Sequence, residues 1–182
     1  MNHVEATIAA LGLCAGLAST ASGQVVVHQD FEGLTYDGWT VNGNQEIFFG
    51  GNPGSYMGVG YLDFWGVTLR NDDLASPMVG DLTVFPSLTV TVDVRVLQLN
   101  NFFEEPIDPS NFNLVLEAID YENYASVFFV GAPLPQLAEG WTSFEFSIPD
   151  TTQAALPPGW RGSGAEDPVT FEPILPLSLI HI

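Results

Sequence analysis

The run Glu117-Ala118-Ile119-Asp120-Tyr121-Glu122 is where the chain comes nearest to a working pair of carboxylates. Glycoside hydrolysis needs two carboxyl groups about 5–9.5 Å apart across the sugar, one to move the proton and one to attack or to activate water. On a strand successive side chains alternate faces, so two groups share a cleft at even separations only. Glu117 and Asp120 are three residues apart and fall on opposite faces unless a bulge intervenes. No catalytic residue is assigned, and a glycoside hydrolase fragment stays as an alternative.

Other hydrolytic chemistries lack parts. The three histidines are His3, His28 and His181, and the first and last lie in terminal segments set aside below. His28 alone would have to serve a Ser-His-Asp triad, and no Gly-x-Ser-x-Gly elbow accompanies it. His28 is read as a residue on a strand face. Cys14 is the one cysteine, so neither a disulfide framework nor a Cys/His zinc site can be built. A hard cation suits the chain better, since calcium takes carboxylate and carbonyl oxygens. Asp30 and Glu32 are the candidate calcium ligands, with Asp150 as a third; the plainer reading is that these acids cover a solvated surface. No other cofactor is expected.

Aromatic side chains offer a different chemistry. Sugar rings present apolar C–H faces that stack on indole and phenol rings, while Asp, Asn, Glu or Arg take the hydroxyls. Tyr121 and Tyr124 flank a predicted hairpin turn with Glu122 and Asn123 between them, and this is the candidate ligand patch, joined by Trp65. Tyr61, Phe102 and Trp160 are candidates by residue type. Trp39 and Trp141 are read as core.

These groups must be carried by strands. Leu88, Val90, Val92, Val94 and Val96 alternate with Thr89, Thr91, Asp93 and Arg95, and Thr142, Phe144, Phe146 and Ile148 alternate with Ser143, Glu145 and Ser147. That period of two marks strands with one buried and one wet face. Phe112–Tyr121 and Tyr124–Val130 read as a hairpin about Glu122-Asn123. Val25–Phe31, Ile47–Phe49 and Tyr61–Leu69 are weaker strands. Gly- and Pro-rich breaks fall at 50–54, 105–109, 131–135 and 157–159. No window beyond the N-terminal segment holds a helical period for three turns. The expected fold is all-β, a two-sheet antiparallel β-sandwich of jelly-roll-like form.

Composition narrows the partners. Twenty-two acidic residues face three cations, Arg70, Arg95 and Arg161, with no lysine, and the net charge is −19. Such a chain has no electrostatic grip on nucleic acid or on an anionic membrane. Its 46% hydrophobic content is enough for a core.

The ends are read separately. Ile8–Ala18 is apolar, too short to span a bilayer, and followed by small residues before Gln24, so residues 1–23 read as a secretory signal peptide, although Met1–Thr7 carries no Lys or Arg. Leu177–Ile182 is what CTGTCTCTTATACACATC encodes, a string that resembles the mosaic-end adapter of transposon-based sequencing libraries. Residues 177–182 are therefore read as an adapter-derived tail, and 24–176 as one β-sandwich domain truncated at its C-terminus.

Asp30-Phe31-Glu32-Gly33, Asp37-Gly38-Trp39, the Thr-Val-Thr-Val-Asp-Val strand at 89–94, and Gly140-Trp141-Thr142 before Phe144-Glu145-Phe146 together resemble the carbohydrate-binding jelly-roll modules of bacterial surface proteins sorted by a PEP-CTERM tail. The resemblance covers the mature chain with loose motifs. It implies a secreted or cell-surface, non-catalytic module whose partner is a polysaccharide or the extracellular matrix. A structural surface protein without a small ligand is the other non-enzymatic expectation.

Overall fold

The structure, a computed structural model, describes residues 7–9, 13–19, 23–29, 31–52, 54–60, 68–76, 78–100, 103–120, 125–151, 153, 155–163 and 179–181. Its strands are β1 (Thr7–Ala9), β2 (Leu13–Ser19), β3 (Gly23–Gln29), β4 (Trp39–Val41), β5 (Asn44–Phe49), β6 (Ser55–Gly60), β7 (Leu69–Asn71), β8 (Leu88–Gln98), β9 (Asn113–Asp120), β10 (Ala125–Pro133), β11 (Thr142–Ile148), β12 (Trp160–Ser163) and β13 (Leu179–His181). The chain is all-β. One sheet runs β3-β2-β8-β1-β6-β5 with β11 also on β8, and the other runs β12-β10-β9-β13-β7-β4. The strand pairs in both are antiparallel.

β8 organises the first sheet because its apolar residues fall strictly on one face. Leu88, Val90, Val92, Val94 and Val96 are buried, while Thr89, Thr91, Asp93 and Arg95 are partly exposed. β-branched residues at every second position suit the pleat and its χ1 restrictions. β11 follows the same rule, with Phe144, Phe146 and Ile148 inward and Ser143, Glu145 and Ser147 outward. The two pair without interruption from Thr142↔Val94 to Ile148↔Leu88.

The sheets share one core. Phe129 of β10 meets Phe146 of β11 edge-on at 5.8 Å between centroids and Trp160 of β12 at 5.7 Å. Trp160 also donates its indole N–H to the Ser147 carbonyl at 3.2 Å. These contacts join the sheets in a sandwich-like arrangement, with Trp39, Phe31, Met57 and Val127 in the same buried cluster.

Several elements depart from the sequence reading. Trp39–Val41, Ser55–Gly60 and Trp160–Ser163 are strands that periodicity did not single out. Gly131-Ala132-Pro133, expected as a break, ends β10, and the ladder with β9 shifts register between Val130 and Pro133. In the 182-residue chain, residues 7–9, 13–19 and 179–181 also pair into the sheets: Cys14–Leu17 with Thr91–Leu88, and β13 with both β7 and β9.

The connection from Phe31 to Gly38 is tightly wound. Phe31, Leu34 and Asp37 have φ of 56°, 54° and 47°, a region unfavourable for side-chain-bearing residues. Packing holds it: Phe31 is fully buried, and Asn71, also fully buried, donates its side-chain amide to the Asp37 carbonyl at 3.0 Å and to Ser76 Oγ at 3.1 Å.

A candidate ligand-binding face on the first sheet

The polar face of the first sheet carries an aromatic row. Along β6 Ser55, Met57 and Val59 are buried on the core face, and Tyr56, on the opposite parity, is partly exposed. Phe48 of β5 is the ladder partner of Tyr56. Their rings stack with centroids 5.3 Å apart and planes at 27°. Tyr56 in turn meets Trp141, just before β11, at 5.6 Å and 70°. Phe48 remains 38% exposed, and Tyr56 and Trp141 are partly exposed.

Gly58 makes the row possible. A Cβ at that position would lie 2.5 Å from Phe48 Cε2, so only glycine lets the Phe48 ring lie down over β6.

Polar groups adjoin the rings. Asp93 accepts hydrogen bonds from Ser143 Oγ and, at 3.5 Å, from Asn52 Nδ2. Asn52 belongs to the turn that leads into β6, so Asp93 ties β8, β11 and that turn together. Arg95 and Trp141 each stand one residue past the Thr142↔Val94 pair that ends the β8–β11 ladder. Arg95 Nε is buried with no hydrogen-bond partner. Arg70 differs, since it pairs with Asp72 at 2.8 Å. Stacking faces, an acceptor and a guanidinium are thus gathered on one side of the sheet.

The residues expected to bind ligand are placed as follows. Tyr121, Glu122, Asn123, Tyr124 and Trp65 lie outside the described residues, as do Tyr61 and Phe102. Trp160 is 7% exposed and belongs to the core, where Phe129 and Ser147 hold it. Trp39 is buried as expected, but Trp141 is not: it is partly open, because its ring turns to Tyr56 on the outer face. Of the calcium candidates, Asp30 lies outside the described residues, while Glu32 and Asp150 are exposed. Glu32 lies over the 50–54 turn, where a Cβ on Gly54 would fall on its carboxylate. Among the described residues no three His, Cys, Asp or Glu side chains converge. Positions 117 and 120 sit in an unbroken stretch of the β9–β10 ladder, so no bulge brings them to one face. His28 lies within β3, opposite Cys14.

Sequence reasoning missed Phe48 and Tyr56. The available signal was Gly58, a glycine inside an apolar run, which marks a close approach of another group. No helix among the described residues is long and apolar enough to cross a membrane.

No protein-family model matches the chain, and no curated protein or solved structure is significantly similar to it.

Proposed function

We propose that this protein is a non-catalytic, exported β-sandwich module that binds glycan, and so mediates surface adhesion, through the face bearing Phe48, Tyr56 and Trp141. The observation that carries the reading is the row of three rings left partly open on the sheet face where β8 and β11 carry Thr91, Asp93, Arg95, Ser143 and Glu145. Open aromatic surface beside hydrogen-bonding groups suits a ligand that is apolar on its ring face and polar at its edges. The apolar segment before Gln24 supports export, and the charge of −19 favours a partner that is not a polyanion.

Titration calorimetry against soluble polysaccharides, with and without calcium, tests it. Trp141→Ala and Phe48→Ala should each weaken binding about threefold to tenfold, matching 0.5–1.5 kcal/mol for an aromatic contact. Absence of binding to every polysaccharide would leave a purely structural surface protein. Turnover of a β-glucan abolished by Glu117→Gln would replace the reading with a hydrolase.

A further inference from the structure

We propose that Arg95 and Asp93 are the residues that select the sugar on this face, and that the ligand is a neutral, hydroxyl-rich pyranose rather than a uronate or a sulfated one. The inference rests on the glycan-binding reading above and deepens it.

Asp93 and Arg95 are two residues apart on β8, so both rise from the outer face, about 7 Å apart along a strand that advances ~3.3 Å per residue. Asp93 is held by Ser143 and Asn52. A carboxylate offers about four lone-pair sites, and these two donors leave room for more. Arg95, a residue from Asp93's own strand, leaves its Nε buried without an acceptor in a chain where acids outnumber cations 22 to 3. An unsatisfied buried donor is costly, so a sugar oxygen that draws the Arg95 side chain outward and accepts from its guanidinium relieves that cost.

The pairing of a donor with an acceptor decides the ligand class. A hydroxyl both donates and accepts, so neighbouring sugar hydroxyls can satisfy Arg95 and Asp93 together. A carboxylate or sulfate would satisfy Arg95 but meet Asp93 with like charge, within the field of a protein of net charge −19. Neutral hydroxyls bound over the Phe48–Tyr56–Trp141 row escape that repulsion.

The test is calorimetry of the purified protein with cellohexaose, xylohexaose and mannohexaose as neutral probes and with trigalacturonate as the anionic one. At least one neutral probe should bind, with an affinity that changes little between about 0.05 and 0.5 M salt, because no net ligand charge is screened. Arg95→Gln and Asp93→Asn should each lower that affinity about tenfold, the loss expected for one hydrogen bond to a charged group. Arg95→Lys, which keeps the charge and loses the planar fork, should fall between. Far-UV circular dichroism checks that each variant is folded.

Trigalacturonate binding more tightly than every neutral probe would overturn the proposal. So would neutral affinity unchanged in both Arg95→Gln and Asp93→Asn while Trp141→Ala reduces it; that result leaves the glycan-binding reading intact. Binding indifferent to Trp141→Ala and Phe48→Ala, or no binding of any probe, overturns the reading and the proposal together.

Discussion

Tyr56 presents its ring to Trp141 at 5.6 Å with the planes inclined by 70°, across the gap between a strand of the β5–β6 pair and the segment that enters β11. An edge-to-face contact of this kind sets the positive rim of one ring on the negative face of another. It fixes the middle of the row and leaves the outer surfaces of Phe48 and Trp141 to meet something else. Because Asp93 accepts from Ser143 and Asn52 at the same place, polar and aromatic groups are positioned by the same strands.

Gly58 is the point at which that row can be disturbed without removing a ring. Gly58→Ala places a methyl 2.5 Å from Phe48 Cε2, and Phe48 must lift off Tyr56. The variant should unfold with a loss of about 1–3 kcal/mol, the usual cost of overpacking, and show altered near-UV circular dichroism from the displaced aromatics. Urea unfolding measures the first and the near-UV spectrum the second.

Phe146 couples the two sheets. Truncating it to Ala should cost about 3–5 kcal/mol in urea unfolding, the range for a buried phenylalanine. A double-mutant cycle with Phe129→Leu should return a coupling of about 0.5–1.5 kcal/mol, because the two rings meet edge-on at 5.8 Å.

Asn71 is fully buried and satisfies three groups: its amide donates to the Asp37 carbonyl and Ser76 Oγ, and its Oδ1 accepts from the Asp73 amide at 3.3 Å. Asn71→Ala orphans these partners and should destabilise the protein by at least about 1–3 kcal/mol. The φ of 47° at Asp37 relies on the same amide, so amide exchange over residues 34–38 should quicken in the variant.

Asp108 caps the turn Pro109–Asn111 and has its carboxyl held below the ordinary 3.8, first by the Gln136 side chain and then by the Ser110 hydroxyl and amide, against a smaller opposing effect of desolvation. Its folded-state pKa is depressed, so its contribution to stability is present above the ordinary carboxylate value and disappears as pH falls through the folded one. Gln136→Ala should move the Asp108 carboxyl resonance, followed by NMR titration, back toward 3.8. No movement would mean that Gln136 is not the main influence.

The strands with an unbroken period of two were legible in the sequence. Leu88–Val96 and Thr142–Ile148 each alternate through seven or more residues, and burial follows that alternation residue by residue. The hairpin from Phe112 to Val130 was also legible, since Glu122-Asn123 interrupts two apolar runs. Ser55–Gly60 was not. Gly58 and Gly60 dilute its alternation, and the reason for Gly58 is Phe48, a neighbour supplied by pairing with β5. Trp39–Val41 and Trp160–Ser163 are too short for a period to register. The candidate site was hidden for a related reason: Trp141 lies next to a perfect strand and reads as core, but one residue before the ladder begins its ring is free to turn outward toward Tyr56. Composition says how many aromatics there are, and strand pairing decides which of them stack.

Four rungs along β8, Leu88 to Thr91, are filled by Cys14–Leu17. A polypeptide beginning at Gln24 would present those rungs' amides and carbonyls bare, and bare rungs recruit whatever extended segment comes past.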